Sequence, residues 1–345
     1  MSVGSTNNPT IPDKLKFGLF NAENLFLLFD QEIPTHYLKL NEAQWQKLSS
    51  SVYENKSLQK CIQIAHIIKS ESPDVFMMCE VGGLESIKSF NKLFLDNKYD
   101  IALIEGNSDR NIDVGFLIKK DFFLHYSLKS HKERPLNFLY PHENLSKKTG
   151  YPVRKESQFF SRDCAQLDFY QPHENSKPML TVLLTHLKSR LDPERIDPGG
   201  TERRTAELRT CLDIYKEIKS LQPNCPVIFA GDMNGFAGKP NTDPEFNVIY
   251  NETDLEDVLE LANVSIDKRS TFYQIKSNGR TDGKQIDYCF ISKQLHEKLI
   301  TPSAEVYRYK DEFGFAIDQP KHMDDKARLP SDHYPLFFSL EMRGI

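Results

Sequence analysis

Residues 227–235 read Val-Ile-Phe-Ala-Gly-Asp-Met-Asn-Gly, and this stretch constrains the fold more than any other. Four apolar residues that run into Gly231, Asp232, Met233, Asn234 and Gly235 make a buried strand that stops abruptly. In α/β folds, strand ends are where polar side chains meet a ligand, because the backbone is rigid there and solvent is within reach. One residue separates Asp232 from Asn234, so in an extended chain both side chains point to the same side. A carboxylate that can take a proton, next to an amide that can donate hydrogen bonds, is phosphoester chemistry in outline.

The same placement of a polar residue at the end of an apolar strand recurs along the chain. Alternation at Phe17 and Leu19 reads as a strand that delivers Asn21 at its end, with Glu23 and Asn24 in a turn. Five apolar residues, Val75 to Cys79, lead into Glu80, and Val-Gly-Gly then turns the chain. A carboxylate there is costly unless a cation or hydrogen bonds meet it, so metal ligation stands beside a capping role. Residues 179–187, MLTVLLTHL, end in Thr185-His186. A turn-rich segment, SNGRTDGKQ, leads into IDYCFIS with Asp287 at its start, and SDHYPLFFSLEM puts Asp332 and His333 at the mouth of a last alternating strand. Helical spacing appears between these strands at Leu58, Cys61, Ala65 and Ile68, at Leu84, Ile87, Phe90 and Phe94, and from Thr201 onward through Leu208, Cys211, Leu212 and Tyr215. Each site candidate has a bland reading alone: Asn as a turn former, His satisfied by a backbone partner. It is their common placement that sets them apart.

Composition limits the partners. A net charge of −5 and a pI near 6.1 exclude a global basic field that would draw the chain to polyanions, so any such contact is local. The six cysteines are scattered with no CxxC pair, which points to reduced buried thiols rather than a disulfide framework or a zinc site. Residues 1–13 are expected to be disordered, and residues 14–345 to form one domain with surface loops near 125–158 and 309–330. His125, His131 and His142 lack metal-ligand spacing and read as solvated, and Trp45 reads as a local anchor in the polar stretch 31–56. No signal-peptide profile and no 18-residue apolar run occurs, so a cytoplasmic protein is expected, although signal-independent export would leave the same sequence.

FNAEN at 20–24, CE at 79–80, TH at 185–186, GDMN at 231–234, IDY at 286–288 and SDH at 331–333, in this order, resemble the endonuclease/exonuclease/phosphatase superfamily across residues 15–340. That superfamily includes pancreatic-type deoxyribonucleases, apurinic endonucleases, neutral sphingomyelinases and inositol-polyphosphate 5-phosphatases. The resemblance implies an α/β four-layer sandwich: two mixed, largely antiparallel sheets packed face to face, with helices outside and the site at one end. It implies that Glu80, with Asn21 and Asp332, holds Mg²⁺ or Mn²⁺ through hard oxygen ligands. His333, oriented by Asp287, would act on the attacking water or stabilise the transition state, and Asp232 is a candidate base. Asn234 and His186 would donate hydrogen bonds to phosphate oxygens. Arg162 in FSRD matches a phosphate-contacting arginine of the deoxyribonuclease branch. Asp113 is a candidate to fix the tautomer of His186.

Departures from the branches narrow the substrate. The 5-phosphatase branch carries Trp-Cys-Asp-Arg before its late strand, where this chain has Gly283-Lys284-Gln285-Ile286-Asp287-Tyr288. Apurinic endonucleases place a Trp ahead of the matching Asp-Tyr, whereas the single Trp here is Trp45. No apolar hairpin or basic amphipathic helix of the kind a sphingomyelinase would set on a membrane is evident. HLKSRLDP and TERRTAEL match the broad bacterial-style nuclease branch. The leading expectation is therefore a divalent-metal-dependent phosphodiester hydrolase acting on DNA as an endonuclease. A phospholipid or small-molecule phosphodiesterase on the same site is the alternative. A catalytically silent binding module would lack a ligand or the base, and Glu80, Asp232, Asp332 and His333 are all present.

Overall fold

The computed structural model describes residues 12–122, 124–143, 157–171 and 176–343. One six-stranded sheet is built from β1 (Lys14–Leu25), β2 (Val75–Val81), β3 (Tyr99–Ala102), β4 (Asp113–Lys119), β13 (Glu305–Val306) and β14 (Leu336–Glu341), in the order β13-β14-β1-β2-β4-β3. The other six-stranded sheet is built from β5 (His125–Ser130), β6 (Cys164–Tyr170), β7 (Leu180–His186), β8 (Val227–Asp232), β9 (Glu256–Asp257) and β12 (Asp287–Ile291), in the order β5-β6-β7-β8-β12-β9. A separate two-stranded ribbon joins β10 (Phe272–Ile275) to β11 (Thr281–Lys284). In each large sheet one central pair is parallel, β1 with β2 and β7 with β8; the other pairs are antiparallel.

The central strands are apolar throughout because both of their faces are covered. The inner faces of the two sheets pack on each other, bringing β1 and β2 against β8, β12 and β7. Outside the first sheet lie α2 (Leu58–Glu71) and α3 (Gly83–Phe94), preceded by the short α1 (Glu42–Gln46). Their core residues Cys61, Ile64, Ile68, Ile87 and Phe90 are at most 1% exposed. Outside the second sheet α4 (Thr201–Leu221) lays Leu208, Cys211, Leu212 and Tyr215 on Phe229, Leu183 and Phe290, the i, i+3, i+4, i+7 stripe expected of an amphipathic helix. The result is the expected α/β sandwich, and all six cysteines are buried free thiols. Among the described residues no helix is long and apolar enough to cross a membrane.

Several local expectations need correction. β1 does not end at Asn21 but continues to Leu25, with a register shift against β2 between those residues where Glu23 and Asn24 take left-handed φ of 49° and 55°. The 125–158 stretch is not all loop: residues 125–130 form edge strand β5, paired with β6, and residues 144–156 lie outside those described. His125 and His142 are exposed as expected, but His131 is buried, its ring bonded to Gln166 and its N–H to Asp163. Within 309–330, Met323–Arg328 is helical and Lys310 bridges Ala316. That bridge closes a hairpin whose Phe313 and Phe315 are 77% and 71% exposed, an apolar hairpin the sequence reading did not find. Asp311 caps its tip, Oδ1 accepting from the Phe313 and Phe315 N–H groups. Residues 1–11 lie outside those described, whereas Asp13 is placed and paired with Arg343. Trp45 is the anchor expected: it is fully buried among Phe29, Tyr37 and Phe94, and its Nε1 donates to the Lys56 carbonyl at 3.0 Å.

Candidate active site

Strand direction alone gathers the polar strand ends. β8 ends where its antiparallel neighbour β12 begins, so Asp287 pairs with Asp232. β7 runs parallel to β8 and puts His186 opposite Asp232 on the other side. In the facing sheet, Asn21 on β1 pairs with Cys79, one residue before Glu80. β14 is antiparallel to β1, with Leu336 opposite Leu19, so the segment ahead of it reaches Asn21. There the Ser331 hydroxyl donates to the Asn21 carbonyl at 2.8 Å and accepts from the His333 N–H at 3.1 Å.

Asp232 is the hub. Its Oδ2 accepts from Asn21 Nδ2 at 3.0 Å and lies 3.5 Å from His186 Nε2 and 3.9 Å from His333 Nε2. Its Oδ1 accepts from the Asn234 N–H at 2.8 Å. The left-handed φ of 51° at Asn234 turns the chain so that this bond forms, and Asn234 Nδ2 donates to the Leu187 carbonyl at 3.0 Å. His333 Nδ1 is 2.8 Å from Asp287 Oδ2, and its Nε2 is 3.9 Å from Asp332 Oδ1. Thr271 Oγ1 accepts from the Asp287 N–H at 3.1 Å and so fixes the start of β12. Glu80, also left-handed at φ 59°, presents Oε1 4.0 Å from His186 Nε2, while its Oε2 accepts from the Asn24 N–H at 3.1 Å.

Burial and neighbouring charge set the two histidines apart. Burial disfavours the His333 imidazolium, but the Asp287, Asp332 and Asp232 carboxylates together hold its pKa well above the ordinary value. Burial, with Arg162 and His333 beside it, pushes His186 well below its ordinary value, so that imidazole is neutral. Burial and the neighbouring Asp287 push Asp232 up to about 7, against the pull of His333 and the bonds from Asn234 and Asn21. Burial works to raise Asp332, yet His333, Lys326 and Lys56 outweigh it and hold the carboxyl below its usual value.

Nine of the ten residues singled out from the sequence are linked by these contacts or one carbonyl away. Arg162 is buried beside the cluster, its Nη1 donating to the Leu187 carbonyl at 3.4 Å. Among the described residues it has no ion-pair partner within 4.0 Å. Asp113 is the exception. Its Oδ1 accepts from the Gly106 N–H at 2.7 Å, and among the described residues His186 Nδ1 has no hydrogen-bond partner, so Asp113 does not fix the His186 tautomer. Asn21, Glu80, Asp232 and Asp332 offer side-chain oxygens with no thiolate among them, which fits a hard divalent cation such as Mg²⁺ or Mn²⁺. Among the described residues, the acidic and histidine side chains whose ligand atoms lie within 4.8 Å of one another are Asp232, Asp287 and His333, but the His333–Asp287 bond occupies that pair.

Two lysines escaped the sequence reading. Lys326 Nζ lies 3.3 Å from Asp332 Oδ2 and 3.7 Å from the centre of the Phe272 ring, which itself packs on His333. Lys56 is buried against Glu23. Both stand in polar, aperiodic stretches, where a lysine gives no sign of being buried.

No protein-family model and no curated protein matches the chain. Solved structures do. Truncated TDP2 of Caenorhabditis elegans superposes with a TM-score of 0.56 at 16% identity, over 95% of this chain and 98% of that one. An endonuclease/exonuclease/phosphatase family protein from Bacteroides thetaiotaomicron gives 0.53 at 15% identity, over 95% and 97%. D. rerio TDP2 complexed with single-strand DNA product gives 0.53 at 17% identity, over 95% and 99%. At these identities the likeness is one of fold, and it spans nearly the whole chain: this protein has the endonuclease/exonuclease/phosphatase fold.

Proposed function

We propose that the protein is a divalent-metal-dependent phosphodiester hydrolase that cleaves DNA as an endonuclease. The observation that carries this reading is the hub at Asp232, where one carboxylate meets Asn21, His186, His333 and Asn234 at the shared end of both sheets. Asn21, Glu80 and Asp332 would hold Mg²⁺ or Mn²⁺, which when bound neutralises charge developing on a non-bridging phosphoryl oxygen. Asp232, poised near neutral pH and accepting from Asn21 and Asn234, is suited to take a proton from the attacking water. His333, kept cationic by Asp287, is suited to stabilise the negative charge of the transition state through Nε2–H. His186 is neutral and can donate a hydrogen bond without adding charge. Arg162 is a buried cation without a carboxylate partner among the described residues, an arrangement that is costly unless an anion such as phosphate arrives.

DNA is favoured as substrate because a protein of the same fold from D. rerio holds a single-strand DNA product. A specific observation supports a second reading, hydrolysis of a phospholipid: Phe313, Phe315 and Ile317 stand exposed on the 310–317 hairpin, in the segment that leads into Asp332 and His333. Supercoiled plasmid nicking with Mg²⁺ or Mn²⁺ separates the two. Nicking that EDTA and Asp232→Ala both abolish supports the endonuclease. If plasmid stays intact while phospholipid vesicles are hydrolysed, and Phe313→Ser/Phe315→Ser lowers that rate, the lipid reading replaces it.

A further inference from the structure

The turn that carries Asn21 toward Glu80 is not self-supporting. Glu23 and Asn24 are consecutive non-glycine residues in left-handed backbone, φ 49° and 55°, a conformation that is unfavourable for residues with a Cβ. Both of their N–H groups are committed to the candidate metal ligands: Glu23 donates to Asn21 Oδ1 at 2.9 Å and Asn24 to Glu80 Oε2 at 3.1 Å. If this turn relaxed, both ligand oxygens would lose the bonds that aim them.

A buried lysine holds the turn. The Lys56 side chain is 3% exposed, and its Nζ donates to the Glu23 carbonyl at 2.8 Å and lies 3.5 Å from the Glu23 carboxylate. Burying an ammonium this fully is unfavourable unless it is paired and hydrogen-bonded. Its backbone is fixed on both sides, the N–H donating to the Phe26 carbonyl at 2.8 Å and the carbonyl accepting from Trp45 Nε1 at 3.0 Å. Lys60 also reaches the Glu23 carboxylate, at 3.2 Å, but makes no bond to the turn's backbone. Of the two, Lys56 alone bonds the Glu23 carbonyl, and Lys60 is the more exposed, at 20% against 3%.

We propose that Lys56 is a positioning residue of the metal centre: from the 26–57 excursion, its ammonium pins the Glu23–Asn24 turn and thereby aims the Asn21 and Glu80 oxygens at the cation. This rests on the metal-dependent reading above. Groups that orient ligands in this way typically contribute about 10- to 100-fold to metal affinity.

The test is direct Mn²⁺ binding to the full chain, by calorimetry or by the EPR signal of free Mn²⁺, beside a thermal melt. Lys56→Met is expected to bind Mn²⁺ about 10- to 100-fold more weakly, while Lys60→Met, which removes only a carboxylate contact, shifts binding less than about threefold. If Lys56→Met does not fold, Lys56→Gln, which keeps a shorter N–H donor, takes its place with the same expectation of weakened binding. A folded Lys56 variant that binds Mn²⁺ as the wild type does overturns the inference, even if its melting temperature falls, because the lysine then serves stability alone. An equal loss in Lys60→Met overturns it too, since the carboxylate pair and not the turn would be responsible. Wild type that binds no Mn²⁺ removes the metal-centre reading itself, an outcome separable from the others.

Discussion

Replacing Gly231 by alanine probes how the two sheets hold the site. Gly231 has φ 151°, and an added Cβ would stand 1.9 Å from the Thr185 carbonyl oxygen and 2.8 Å from its carbon. Those are backbone atoms of a fully buried central strand, so no side chain can swing aside. Relieving the overlap requires β7 and β8 to part by about 1 Å or more, since favourable heavy-atom contacts begin near 3.5 Å. The backbone conformation contributes roughly 1–3 kcal/mol, and each weakened ladder bond about 1 kcal/mol more. A loss of about 3–5 kcal/mol is therefore expected, out of the 5–15 kcal/mol typical of a folded domain. The residues on either side of the opened seam are His186 and Asp232, 3.5 Å apart, so turnover by the fraction still folded should fall about 100-fold. Urea unfolding followed by tryptophan fluorescence gives the first number, and metal-dependent phosphodiester hydrolysis gives the second. A Gly231→Ala protein within about 1 kcal/mol of wild type, with turnover intact, would refute the close approach of these strands as the device that holds the site.

Three further outcomes follow from the same geometry. Asp287→Asn removes the carboxylate 2.8 Å from His333 Nδ1; imidazole NMR should show the His333 pKa falling, with turnover down by about 10²–10⁴. Burial pushes Asp257 up to about 7, so the folded protein keeps a proton that the unfolded chain releases near 3.8, and stability declines as pH rises between those values. Asp257→Asn should remove that decline, gaining on the order of 3 kcal/mol over wild type at pH 8 and far less at pH 4, as read by urea unfolding at both. Trp45→Ala empties a fully buried site among Phe29, Tyr37 and Phe94 and should lower stability by about 3–5 kcal/mol, read by urea unfolding followed by far-ultraviolet circular dichroism because the variant has no tryptophan left to fluoresce.

What could be read from the sequence was whatever strand ends and periodicity encode. A polar or charged side chain at the close of a buried apolar run is conspicuous, which is why Glu80, Asp232 and His186 stand out in the sequence. Asp287 and His333 were found at strand starts, and antiparallel pairing brings strand starts and strand ends together. Helices α2 and α4 begin at Leu58 and Thr201, where the apolar stripes begin. Residues whose part depends on reach rather than on position could not be read this way. Asp113 stands at a strand start like Asp287, but the Gly106 N–H takes its carboxylate. Lys56 and Lys326 lie in stretches without periodicity, and only the folded chain reveals that one is buried under the Glu23–Asn24 turn and the other packed on Phe272. Phe313, Phe315 and Ile317 alternate, but within a charged stretch that reads as loop, and the buried His131, bonded to Gln166, lies in no apolar pattern.

Hydrolysis of bis(p-nitrophenyl) phosphate, a phosphodiester with no base and no lipid tail, tests the central claim without presuming the natural substrate. Turnover that requires Mn²⁺ or Mg²⁺, stops with EDTA and is lost in a folded Asp232→Asn protein is the expected result. Absence of metal-dependent turnover in the wild type, or equal turnover by Asp232→Asn, would contradict a phosphodiesterase centred on Asp232.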